Sequence, residues 1–475
     1  MGFLSPSIRY RNSVLGLALA ALALPGAVLA ESAFPAPVEF TGRFRASPAD
    51  AGKPVLPGSS VTIQGSGLQP GQSLTLQRGA TVLTPEALTA DDKGAVSFTF
   101  TLPEDAATGL HPVIAIMDSP SSATVFDVKV SKDVPLAGEE GFSVTRVKSA
   151  PGLYQSAYSA KSGALFVAAS DFRPPSSALL KLNPQTLEVI AEVTPPPLPE
   201  DQREAPAEGA EDRGPQPVGV FGLAVDDEKG TIWTTNTFDN SVAVYSQDDL
   251  SLVKQFPAGT VYHARDVKVD GKRGRAYASA SATNGVHVFD TETLEKIAVI
   301  EIDSGLRGGE FSVMSIALDA EGGQLYAVSR LSNELAVIDL ATNEVARVLP
   351  LAGAKNASGV DVDPATGTVY VASQDSDNLL IVDPASGEVK HDVTVGAGAL
   401  GVVFEPVGKL AYVANRGAGT ITVVSPEGEV VAVLNGGSYA NHVATDGQGN
   451  VFAVNKSAGP EDATADHVAL IRKAE

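Results

Sequence analysis

Apolar and polar residues alternate through the first part of the chain, from about residue 34 to 136. The alternating runs are SVTIQGSG (60–67), SLTLQRG (73–79), AVSFTFTL (95–102) and ATVFDVKV (123–130). A period of two marks strands with one face buried. GSGLQPGQ and DDKGA lie between them as turns. Several strands at short spacing within about 100 residues predict a small β-sandwich.

From Gly141 onward a longer repeat replaces this pattern. Its anchor is an aromatic residue inside a short apolar run: Phe166, Trp233, Tyr277, Tyr326, Tyr370, Tyr412 and Phe452. After the first interval the spacing falls in the 40–50-residue range of propeller blades. Each copy has the same order. A first strand such as GVDVDP is followed by a turn such as DPATG, then the aromatic strand. A polar loop, a third strand such as LLIVDP, a turn and a fourth strand complete it. Four antiparallel strands cannot bury both faces alone, so the copies must stack around an axis. The last copy is one strand short, while FSVTRVK (142–148) precedes the first copy without a partner. It is expected to pair beside HVALIRK (467–473) and close the ring. The predicted fold class is all-β: a seven-bladed β-propeller over 137–475, preceded by a sandwich over 31–136.

Two segments stand apart. Residues 195–217, PPPLPEDQREAPAEGAEDRGPQP, are proline-rich and acidic without apolar periodicity. They are expected to be disordered or loosely extended, and to spring from the mouth face of the propeller. Residues 1–30 carry Arg9 and Arg11, an apolar stretch and small residues at Val28 and Ala30. This is the pattern of a cleaved export signal, so a periplasmic location is expected, with no transmembrane segment after cleavage.

Charge and composition narrow the function. The balance of 34 basic against 56 acidic residues gives −22, which argues against nucleic acid as a partner. The chain has no cysteine, which excludes disulfides, thiolate metal sites and a cysteine nucleophile. There is no G-x-S-x-G elbow and no Walker loop. GSGLQPG precedes a strand and reads as a turn, and the Asp-Pro pairs at 363–364 and 383–384 read as turn formers.

YVANRGAGTITVVSPEGEV (412–430) and YVASQDSDNLLIVDPASGEV (370–389) carry a resemblance. They resemble the YVTN repeat of the YncE-like seven-bladed propellers, and GSGLQPGQSLTL resembles bacterial immunoglobulin-like modules. The resemblance implies an exported propeller with no agreed catalytic motif. Related propellers include lactonases and the heavy subunit of amine dehydrogenases.

In a propeller the entries to the innermost strands and the loops between second and third strands surround one channel mouth. Polar residues at the entries are His263, Arg265, Glu310, Asn441 and His442; the loops add Arg330, Arg416 and Lys456. Converging, they would form a basic pocket bearing histidine, suited to a small anion or a metal-loaded ligand. The alternative is that they solvate loop ends. His263 and His442 lack the short spacing of a zinc site, so no metal and no cofactor is predicted. Asp375 and Asp377 are weighed for calcium and read as a solvated loop. The function expected is non-catalytic: a face for a small ligand or an envelope protein, accessory to uptake or redox systems. The alternative is a lactonase-like hydrolase, with Glu310 and Asn441 in its site, or a non-cofactor subunit of a periplasmic dehydrogenase.

Overall fold

The alternating segments at the front of the chain pair into two sheets. The strands are β1 (Arg43–Pro48), β2 (Ser60–Ser66), β3 (Ser73–Arg78), β4 (Thr81–Val82), β5 (Leu88–Thr89), β6 (Val96–Thr101), β7 (Gly109–Asp118) and β8 (Ser122–Val130). One sheet runs β1-β2-β6 and the other β4-β3-β7-β8, with β5 beside β3. Inward positions at every second residue build one core across the two, including Val61, Ile63, Leu74, Leu76, Val113, Ala115 and Val128. The DDKGA turn needs its glycine: at Gly94 φ is +70°, and an added Cβ would lie 2.0 Å from the Leu68 carbonyl oxygen. This is a computed structural model, and it describes residues 38–172, 175–203 and 214–474. The export signal read at 1–30 and residues 204–213 of the acidic segment lie outside them.

Seven four-stranded antiparallel sheets follow, each built from strands consecutive in sequence except the last. Their innermost strands are Leu153–Ser159, Gly222–Asp226, Ala264–Asp270, Val313–Asp319, Ala357–Val362, Ala399–Glu405 and Ala440–Thr445. Each inner strand packs on the next and the seventh packs on the first, so the sheets form a closed ring. The aromatic anchors lie on the second strands and are buried between sheets. Trp233 of the second sheet meets Phe289 of the third at 5.7 Å, and Tyr370 of the fifth stacks on Phe404 of the sixth at 5.0 Å. Burying an aromatic face between layers supplies what no sheet has alone.

The seventh sheet is completed from the other end of the repeat region. β9 (Phe142–Lys148) runs antiparallel to His467–Lys473, from Phe142 opposite Lys473 to Lys148 opposite His467. This is the closing pair that the sequence predicts. Just upstream, Ala137 exchanges two backbone hydrogen bonds with Val433 of the sixth sheet, at 3.1 and 2.8 Å.

One expectation needs correction. The first flank of the acidic segment is packed rather than loose. Leu198 is buried, Arg203 Nε donates to the Leu198 carbonyl at 2.8 Å, and Ala258 N–H donates to the Gln202 carbonyl at 3.0 Å. A single leucine in the proline-rich run finds apolar cover beside the second sheet, which period-based reading does not detect.

Candidate functional site

Six of the seven inner strands share one irregularity at their entry. Pairing with the second strand skips between Leu153 and Gln155, Ala264 and Val267, and Val313 and Ser315. It skips again between Ala357 and Gly359, Ala399 and Gly401, and Ala440 and His442. A bulge frees a residue from the ladder and re-aims its side chain. The freed residues include Tyr154, Arg265, Met314, Leu400 and Asn441, and all five line one cavity at the channel mouth. The inner strand of the second sheet has no bulge. There Gly222 pairs regularly with Thr235, and a Cβ on it would lie 2.3 Å from the Arg265 carbonyl oxygen.

The mouth cavity has a volume of about 290 Å³. Loops between second and third strands complete its wall with Thr237, Ser281, Arg330, Gln374, Arg416 and Lys456, and His263 joins from an entry loop. Its cations are held mostly by neutral groups. Arg416 Nη1 donates to Asn441 Oδ1 at 2.5 Å, and its guanidinium lies 4.9 Å from the Tyr439 ring centre. Lys456 Nζ donates to the Ser170 carbonyl at 3.3 Å and lies 5.2 Å from the Tyr154 ring. Arg265 covers the same ring at 5.9 Å. Arg330 Nε donates to Ser312 Oγ at 3.1 Å. Among the described residues none of these four cations has a carboxylate oxygen within 4.0 Å.

The crowding of positive charge shows in the acidities. Burial, then the neighbouring Arg416, lowers Lys456 to about 8, against the pull of Asp171 and Asp466. Burial also lowers Arg416. His263 is pushed below its ordinary value by partial burial, then by Arg330 and Arg265, which favours the neutral ring.

The structure gathers His263, Arg265, Arg330, Arg416, Asn441 and Lys456 around this cavity. His442 lies one step deeper. Its Nδ1 accepts the Ser156 N–H at 3.3 Å, and burial, then Lys268, lowers it to about 3. It shares with Gln155, Asp266 and Lys268 a waist of about 30 Å³, room for a water or two. The mouth is therefore a pocket that narrows sharply below. Beyond the waist, Asp361 accepts the Phe404 N–H at 2.7 Å, and burial raises it to about 6.

Glu310 falls elsewhere. It is exposed in the loop before Val313 and does not line the cavity. Asp377 spends Oδ1 on Lys129 and on the Gly398 N–H. Among the described residues no three His, Asp or Glu side chains are grouped to hold a metal. Tyr154, Met314 and Leu400 were not foreseen. Aligning the second residue of each inner strand would have found them beside Arg265 and Asn441.

No protein-family model matches the sequence, and no curated protein does. Solved structures do match. A catalytically inactive virginiamycin B lyase from Staphylococcus aureus with quinupristin superposes with a TM-score of 0.53 at 12% identity, covering 70% of this chain and 99% of that one. The hydrazine synthase of Kuenenia stuttgartiensis gives 0.54 at 18%, covering 69% and 97%. The Cps50 (Swd1) β-propeller domain of Myceliophteria thermophila gives 0.52 at 11%, covering 70% and 100%. The ring has the β-propeller fold. At these identities the likeness extends to fold alone.

Proposed function

We propose that this protein is an exported seven-bladed propeller, fronted by an immunoglobulin-like module, whose channel mouth binds a small anion without transforming it. The observation that carries the reading is the convergence of Arg265, Arg330, Arg416 and Lys456, none of which has a carboxylate oxygen within 4.0 Å among the described residues. On a chain of net charge −22, a local cluster of this kind focuses an attractive field on one spot. Guanidinium forks suit carboxylate or phosphate oxygens.

The serine and threonine hydroxyls that line the mouth are committed to the backbone. Thr237 Oγ1 donates to the Ala264 carbonyl at 2.6 Å, and Ser281 Oγ to the His263 carbonyl at 3.0 Å. Neither is paired to a base that would activate it. The lactonase alternative loses its expected carboxylate, because Glu310 stands outside the cavity. The YVTN-like repeats and the signal-like start support an exported protein of the YncE-like kind.

Calorimetric titration with citrate and with inorganic phosphate at low salt tests the mouth. Binding is expected, and Arg330→Ala with Arg416→Ala should weaken it at least tenfold. Absence of binding by both anions, or binding indifferent to these changes, overturns the reading. For export, the protein recovered from a periplasmic fraction is expected to start at Glu31.

A further inference from the structure

The sandwich contains a cavity of its own. It has a volume of about 260 Å³ and lies between the two sheets, at the end where β6 finishes and β7 begins. Leu83, Phe100, Leu102, Val113, Val128 and Val130 form most of its wall. These side chains leave the space almost without polar surface. The space is open to solvent on one side, and its apolar wall is receptive to a hydrocarbon that enters from there.

One polar device stands on its wall. Arg78 ends β3, and its Nη2 lies 3.1 Å from His111 Nδ1. An arginine only donates, so Nδ1 accepts and the ring proton sits on Nε2. That nitrogen is 2.6 Å from the Ala107 carbonyl, to which it donates. The chain Ala107–His111–Arg78 thus orients the exposed guanidinium at the edge of the cavity. Among the described residues no carboxylate lies within 4.0 Å of Arg78. The arrangement offers a hydrocarbon-lined space with one positioned cation and no anion of its own.

We propose that the sandwich holds a second binding site, for a straight-chain alkyl carboxylate, whose tail fills the cavity and whose carboxylate pairs with Arg78. A ligand with polar groups along its tail would leave polar atoms against the apolar wall without partners. A bare inorganic anion would gain nothing from that wall. The site is independent of the anion pocket at the channel mouth.

Titrating the full mature chain with decanoate, decanol and acetate tests this. Decanoate is expected to bind, decanol more weakly, and acetate not at this site. Arg78→Gln should weaken decanoate about tenfold and leave decanol unchanged, which also shows that the cavity is intact. Ala106→Phe puts a ring into the cavity and should abolish binding of both, with Tm unchanged or raised. Arg416→Ala, at the mouth, should leave decanoate binding as it was. The proposal is overturned if the native chain takes up no decanoate. It is equally overturned if decanoate binding survives Arg78→Gln and Ala106→Phe, or is lost with Arg416→Ala.

Discussion

Lys129, on the last strand of the sandwich, reaches the propeller and donates to Asp377 at 2.5 Å and to the Gln374 carbonyl at 2.5 Å. Gln374 lines the channel mouth. A residue of the first domain therefore holds a loop of the second domain's candidate site. The pair is partly buried, so it ranks above an exposed ion pair and below a fully desolvated one. Lys129→Met should cost about 1–2 kcal/mol, read as a lower urea midpoint at unchanged slope. It should also weaken citrate binding at the mouth by loosening residues 374–377.

Lys456 sets the expected pH limit of anion binding. Its folded value of about 8 lies below the ordinary lysine value of 10.5. Between these values the unfolded chain binds more protons, so this group's contribution to stability rises with pH from about 8 to 10.5. Affinity moves the other way, because the ammonium is lost as pH passes 8. Citrate affinity should hold steady from pH 6.5 to 7.5 and fall above 8, and Lys456→Met should flatten the fall. A profile that Lys456→Met leaves unchanged would remove Lys456 from the binding group.

Two half-buried groups deeper in the channel work against each other in acid. His442 is lowered to about 3 from 6.5, so its contribution is present above 6.5 and lost as pH falls toward 3. Asp361 is raised to about 6 from 3.8, so its contribution is present below 3.8 and lost as pH rises through 6. Between about pH 4 and 6 the slopes partly cancel. Asp361→Asn should steepen the acid loss of stability, and His442→Gln should reduce it. Urea midpoints measured from pH 4 to 7 check both.

Closure of the ring by β9 predicts the behaviour of truncated chains. A fragment starting at residue 138 keeps the partner of His467–Lys473. A fragment starting at 149 leaves that strand as an open edge, which is a template for association. The first is expected to be monomeric and the second to aggregate, as followed by light scattering.

Much of this was legible in the sequence, for a physical reason. Tyr370 and Tyr412 each recur with their flanking strands because every sheet needs the same packing against its neighbour. FSVTRVK could be placed because an unpaired strand at one end met a missing strand at the other. Arg265 and Asn441 were found because strand entries face the channel in this fold. Tyr154 and Leu400 were not, because an aromatic or aliphatic residue in a strand reads as core until a bulge turns it away. Glu310 was misplaced by its loop: residues 302–312 are long enough to carry it out into solvent. The Lys129–Asp377 contact has no local signal, since the two are distant in sequence and belong to different domains.

The bulges at the strand entries have a wider meaning. Each takes one or two side chains out of the pairing that holds its sheet together, and the ladder resumes beyond it in a shifted register. Tyr154, Arg265, Met314, Leu400 and Asn441 thus point to the mouth instead of into the ladder, although Asn441 Nδ2 still donates to the Tyr154 carbonyl at 2.8 Å. The same scaffold can be given a different mouth by exchanging single residues at the entries of six of its seven sheets. Variation among proteins of this plan should concentrate at these positions, and the combination found in them is where each one's choice of ligand would be written.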